Sequence, residues 1–185
     1  KRKYWILAAC LIGLASATRL VGIFLIIPLV IAARRRSWAL VIAPMGLFAY
    51  MMYLWKSVGD PLAFFHVQAA FGAGRSGGEL IFLPQVLWRY LRIFTTVSTG
   101  ELLYHVAVLE ISSFVLGMIL LVVAWKTRYD AAILLYSACV LVLPTLTGTL
   151  SSMPRYLLAA FPLFGVLGEI KSTGWKIMLL IVFFA

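Results

Sequence analysis

Apolar residues run through this chain in long stretches, and short basic clusters interrupt them. The stretches at 37–55, 102–125 and 131–149 are each long enough to cross a hydrocarbon core of about 30 Å as a helix. The interruptions are Lys1-Arg2-Lys3, Arg34-Arg35-Arg36, Lys126 with Arg128, and Lys171 with Lys176. This pattern predicts an all-α, polytopic helical membrane protein with those four breaks on the cytoplasmic side, where Lys and Arg accumulate. Between the first two breaks, residues 4–33 must then cross an even number of times, yet they are too few for two full spans. A hairpin of two short helices, 4–16 and 20–33, turning at Thr18-Arg19 in the outer leaflet or an outward-open cavity, satisfies both conditions. Gly13, Ala15, Ser16 and Ala17 are small enough to let helices approach closely there.

From Arg36 the chain is expected to cross outward with a kink near Pro44, return inward through 103–125, and go out again through 131–149 with a kink near Pro144. A brief outer turn, 150–155, leads into 156–170, which contains Pro162. The outer region between Lys56 and Leu102 reads as more than a connection. Asp60-Pro61 is a helix-start pair, because Asp caps free N–H groups and Pro forfeits a donor that had no partner. A helix over 61–71 ending at Gly72 is predicted, and after a Gly-rich stretch a second over 84–95. In the latter Gln85, Arg89 and Arg92 share a face, with Trp88, Leu91 and Phe94 over much of the rest, as in an amphipathic helix lying on the outer leaflet.

Composition agrees with the pattern: 64% of residues are hydrophobic and only 12% charged, far outside the soluble range. The net charge of +10 is spread over loops, which reads as membrane anchoring and argues against a nucleic-acid partner. Cys10 and Cys139 lie in apolar segments without ligand spacing, and His66 and His105 are the only histidines, so neither a metal nor another cofactor is expected. The chain is read as one transmembrane domain, 1–185, forming the C-terminal part of a longer protein.

Six basic residues fall outside the cytoplasmic breaks: Arg19, Lys56, Arg75, Arg89, Arg92 and Arg155. Arg19, placed by topology at membrane depth, either snorkels to headgroups or binds a lipid phosphate through two parallel hydrogen bonds. Arg155 sits in Leu150-Ser-Ser-Met-Pro-Arg-Tyr156 within the first turn of a helix, where a cation opposes the helix dipole, which favours an external anionic partner. Gln68, among Phe64, Phe65 and Phe71, offers an amide to a sugar hydroxyl. His66 reads as an interfacial polar residue, and Arg75 and Glu79 as parts of a loop. Glu110, the one acid well inside a span, suits either a proton relay or a partner on a neighbouring helix.

Leu14-Ala-Ser-Ala-Thr-Arg19 followed by Gly22, Gly59-Asp-Pro-Leu-Ala-Phe-Phe-His-Val-Gln68, the amphipathic outer helix, and Ser152-Met-Pro-Arg-Tyr-Leu-Leu-Ala-Ala-Phe-Pro162 occur in this order over most of the chain. Together they resemble the polytopic glycosyltransferases of the GT-C fold, in particular the mannosyltransferases related to phosphatidylinositol-glycan class V and their bacterial relatives. The resemblance implies sugar transfer from a polyprenyl- or dolichyl-phosphate donor on the non-cytoplasmic face. That face belongs to a bacterial plasma membrane or to the endoplasmic reticulum. Arg19, Arg155, Tyr156, Gln68, His66 and Arg75 are the candidate substrate-binding residues. The resemblance places the catalytic acid in a first outer loop, expected before Lys1, and gives no reason to promote Asp60, Glu79 or Glu101 in its stead. On that reading, this piece by itself is inactive. Two other classes stay open: a transporter or flippase using Glu110 with helices broken at Pro28, Pro44, Pro144 and Pro162, and a non-catalytic membrane subunit.

The topology is tested by cysteine scanning in intact cells. Thr127→Cys is expected to resist an impermeant thiol reagent, and strong labelling there would invert the whole arrangement.

Overall fold

The computed structural model describes residues 4–33, 39–71 and 80–169. Helices dominate, and among the described residues there is no strand; Ile81 and Thr147 form one isolated parallel bridge. In chain order the helices are α1 (Trp5–Thr18), α2 (Ile26–Ala33), α3 (Ala39–Ile42), α4 (Met45–Val58), α5 (Ala63–His66), α6 (Leu83–Thr96), α7 (Leu102–Lys126), α8 (Ala131–Val142), α9 (Met153–Ala159) and α10 (Gly165–Gly168). Tighter 3-10 turns occupy Leu20–Leu25, Val67–Phe71, Leu143–Leu146 and Phe161–Phe164. Two helices are long and apolar enough to cross a bilayer, Leu40–Val58 and Leu102–Lys126.

The breaks fall where prolines remove a donor. The first long helix is interrupted at Ala43-Pro44, α8 tightens at Leu143-Pro144, and the stretch after α9 is 3-10 around Pro162. A proline cannot supply the N–H that continues the ladder, so the chain shortens its turn or bends.

The expected hairpin is present. α1 ends at Thr18, Arg19 is extended, and the returning segment begins at Leu20. The Arg19 N–H donates to the Ala15 carbonyl at 2.9 Å, and the Arg19 carbonyl accepts from Gly22 at 2.8 Å. The two arms are nearly in backbone contact: a Cβ on Gly22 would stand 2.5 Å from the Ala15 carbonyl carbon and oxygen. Gly13 lies against Ile42, Ala43 and Gly46, as its size suggested, but Gly46 makes the tighter approach. A Cβ added to Gly46 would lie 1.7 Å from the Gly13 carbonyl oxygen. Around this crossing Ala9, Ile12, Leu29 and Ala43 form a small buried cluster.

A larger core joins α6, α7, α8 and α9 through Val86, Tyr90, Phe114, Leu141, Met153 and Leu157. Phe24 and Leu25 of the hairpin's returning arm pack against it, which brings the Arg19 turn to the same end as the α8–α9 connection. Much of the outer surface is apolar; Phe48, Met52, Leu109, Ile119, Leu158 and Phe161 are exposed.

Helix α6 is amphipathic, but its faces divide differently from the sequence expectation. Val86 and Tyr90 are buried in the core, while Leu87, Trp88 and Leu91 are exposed. Of the three polar residues only Arg92 projects freely: the Gln85 carbonyl accepts from the Phe82 N–H at 3.3 Å, and Arg89 is half-buried, donating to the Gly148 carbonyl at 3.4 Å. The helix expected over 61–71 starts at Ala63, because the Asp60 carboxylate takes the Leu62 N–H at 2.9 Å in a turn that precedes it. It tightens to 3-10 from Val67 onward.

The Gly13–Gly46 crossing generates a stability prediction. Gly46→Ala is expected to destabilise by about 1–3 kcal/mol, the usual range for overpacking against an unyielding neighbour. Gly100→Ala, where an added Cβ meets nothing within 4 Å, should stay within about 0.5 kcal/mol. Thermal unfolding in detergent measures both.

Candidate functional site

The two arginines singled out by the sequence meet in space. Arg19, on the hairpin turn, and Arg155, in the first turn of α9, line one cavity of about 510 Å³ together with Leu20, Val21, Ser151, Ser152 and Tyr156. Both guanidinium groups are exposed, and among the described residues neither has an ion-pair or hydrogen-bond partner. Two like charges facing one space repel unless an anion lies between them.

A second cavity, about 380 Å³, adjoins the first and shares Leu20, Val21 and Tyr156 with it. Its wall is otherwise almost entirely apolar, with Phe24, Leu47, Phe64 and Leu143 among the lining residues and Gln68 as its one amide. The Gln68 amide donates to the Phe64 carbonyl at 2.7 Å. Tyr156 therefore stands between a cationic compartment and a greasy one. A smaller cavity of about 280 Å³ on the other side of Arg19 is bounded by Ser16, Thr18, Tyr50 and Phe64.

His66 is placed otherwise. Its ring nitrogen lies 2.7 Å from the Asp60 carboxylate, with the two side chains 54% and 36% exposed, so it closes a local turn and does not line the arginine cavity. The His66 hydrogen bond, reinforced by the Leu62 N–H, holds the Asp60 carboxyl below its ordinary 3.8. Arg75 and Glu79 lie outside the described residues. Among those described, no three His, Cys, Asp or Glu side chains gather where a metal ion could be held.

The feature that sequence reasoning missed is the support behind Arg155. Glu110 on α7 accepts from the Tyr90 hydroxyl with one oxygen and from the Ser152 N–H at 3.2 Å with the other. The Tyr90 oxygen in turn accepts from the Leu150 N–H at 3.1 Å, and Thr149 Oγ1 accepts from the Ser151 N–H at 3.1 Å. Three successive backbone donors are thus satisfied by side chains. Burial, and then the neighbouring carboxylate, push the Tyr90 hydroxyl up to about 12, so it remains a donor to Glu110 at any physiological pH. Glu110 itself was visible as an acid in an apolar helix. Nothing in the spacing of the sequence pointed to Tyr90, which reads there as one more aromatic of an interfacial helix.

No protein-family model matches this chain, and neither a curated protein nor a solved structure shows significant similarity to it.

The Asp60–His66 pair carries a pH prediction. A carboxyl whose native pKa is depressed contributes stability that is present above 3.8 and lost as the pH falls through the lower native value. Asp60→Ala should therefore lower the unfolding midpoint at pH 5 and 7, and the gap from the parent protein should narrow below about 3.8. A gap independent of pH would remove the carboxylate from the account.

Proposed function

We propose that this chain is part of a GT-C-type membrane glycosyltransferase, mannosyltransferase-like, that takes its sugar from a polyprenyl- or dolichyl-phosphate on the non-cytoplasmic face. The observation that carries this reading is the convergence of Arg19 and Arg155 on one cavity beside an apolar one. A phosphate between the guanidinium groups satisfies both charges with bidentate hydrogen bonds, and guanidinium geometry matches phosphate better than an ammonium does. The first prenyl units of the lipid then occupy the space bounded by Phe24, Phe64 and Leu143. Gln68 and Tyr156 supply the polar contacts nearest a sugar.

In this reading the chemistry is displacement at the anomeric carbon. The acceptor hydroxyl attacks, the bond to the phosphate oxygen breaks, and the lipid phosphate leaves with an added negative charge. Arg19 and Arg155 stabilise that charge as it grows. The acceptor proton passes to a carboxylate acting as general base, a role not assigned to any residue of this chain. The exposed apolar stripe of α6, Leu87, Trp88 and Leu91, rests on the outer leaflet and leaves the donor a lateral path. The long apolar helices cross the bilayer with the basic breaks in the cytoplasm.

Binding tests the reading without requiring turnover. With undecaprenyl phosphate as the probe in lipid nanodiscs, Arg155→Ala is expected to weaken binding by about ten- to a hundredfold, since a hydrogen bond to a charged group is worth roughly 1.5–3 kcal/mol. Arg155→Lys should recover only part of the loss, because a point charge cannot reproduce the fork. Undiminished binding by Arg155→Ala, in a variant that melts like the parent, would return both arginines to headgroup anchoring.

A further inference from the structure

The α8–α9 connection has an unusual backbone. Gly148 has φ +88°, and Ser152, immediately before α9, has φ +66°. Glycine adopts the left-handed region freely. A serine there costs energy and persists where its surroundings over-determine it. Ser152 is held on both sides: its N–H donates to Glu110, and its carbonyl accepts from the N–H of Arg155 at 3.0 Å and of Tyr156 at 3.4 Å. Arg155 is therefore one hydrogen bond from a residue that Glu110 holds.

The same turn is gripped along its length. Arg89 holds the Gly148 carbonyl, Tyr90 holds the Leu150 N–H, Thr149 holds the Ser151 N–H and Glu110 holds the Ser152 N–H. Two of these grips come from α6 and one from α7, elements distant in sequence from the turn. Leu150 is buried and Ser151 and Ser152 are half-buried, so their N–H groups call for acceptors, and a turn can meet that need in many geometries. Here the acceptors come from a buried tyrosine and a half-buried glutamate, which select one geometry. Ser151 and Ser152, at its far end, line the arginine cavity.

We infer that Tyr90 and Glu110 are positioning residues for the anion site: they clamp the Gly148–Ser152 turn in the one conformation that aims Arg155 at Arg19. The inference rests on the reading of the Arg19–Arg155 cavity as a phosphate site, and it gives Glu110 a task that is not proton transfer. Its carboxylate works as a double acceptor, and an isosteric amide should serve nearly as well: the Gln oxygen accepts from Ser152, its amino group donates to the Tyr90 oxygen, and the Tyr90 proton turns to Thr149 Oγ1, 3.4 Å away.

Undecaprenyl phosphate binding in nanodiscs again provides the readout, with melting temperature as the control for folding. Tyr90→Phe, which removes one acceptor and one donor, should weaken binding about tenfold, the equivalent of one hydrogen-bond-sized change in the site. Thr149→Val removes the acceptor for Ser151 and the 3.4 Å contact with the Tyr90 hydroxyl; it is the gentler second variant, expected to weaken binding about threefold. Glu110→Gln should stay within about threefold of the parent, and Glu110→Ala should not. In an Arg155→Ala background, Tyr90→Phe should cause no further loss, because it acts through that arginine. Hydrogen exchange at Leu150 and Ser152 should speed up in Tyr90→Phe while exchange along α7 stays unchanged. Three outcomes would overturn the clamp: unaltered binding in both Tyr90→Phe and Thr149→Val, an equal loss from Tyr90→Phe with and without Arg155, or a loss in Glu110→Gln as deep as in Glu110→Ala. If Arg155→Ala itself leaves binding untouched, the phosphate reading fails and takes the clamp's purpose with it; an intact Arg155 effect beside any of the three outcomes removes the clamp alone.

Discussion

A carboxylate in an apolar helix must find donors, and the way Glu110 finds them organises the upper half of this protein. One oxygen goes to the Tyr90 hydroxyl and the other to the Ser152 amide. These bonds tie α6, α7 and the α8–α9 turn together at a single point. The free energy of one such bond is modest, but the alternative is not. Left without its two donors, this half-buried carboxylate would cost more than the bonds themselves contribute. The network therefore ties α9 to its neighbours: α9 cannot tilt without disturbing the bond from Ser152 to Glu110.

The other half of the site depends on the absence of side chains. Gly46 against Gly13, and Gly22 against Ala15, let backbones touch where even a methyl group would not fit. Close van der Waals contact between backbones holds the segments together at these two crossings. The consequence reaches the site directly. Because the two arms of the N-terminal hairpin are pressed together, the residue between them has nowhere to go but outward from the turn, and that residue is Arg19.

Two unpaired guanidinium groups on one cavity are a standing electrostatic cost in the absence of an anion. Proteins violate local preference in this way mainly at functional sites, and the placement of Arg155 in the first turn of α9, against the helix dipole, adds to the cost. The neighbouring apolar cavity makes the combination amphiphilic: charge at one end, aromatic and aliphatic walls at the other, and Tyr156 between them. On the reading proposed above, the head of a lipid phosphate takes the first compartment and its chain the second.

Periodicity and punctuation were enough to read the helices and most of their ends. Long apolar runs can be satisfied only as helices, and Pro44, Pro144 and Pro162 interrupt them for a reason that needs no neighbour. The turn at Arg19 was legible because 4–33 is too short to cross twice at full length. The position of Arg155 in the first turn of a helix was legible as a local misfit. His66 was not, because its pairing with Asp60 is a choice among rotamers that spacing does not dictate. Nor was the grip of Tyr90 and Glu110 on the α8–α9 turn, since a hydroxyl and a carboxylate twenty positions apart share no periodic signal and meet only once α6 has docked on α7. Sequence by itself determined the class of structure and the residues with unexplained charge, because hydropathy and backbone chemistry act locally. Tertiary structure alone decided that Arg19 and Arg155 line one cavity and that Tyr90 and Glu110 hold the turn before α9, because that depends on glycine contacts and acceptors supplied by distant parts of the chain.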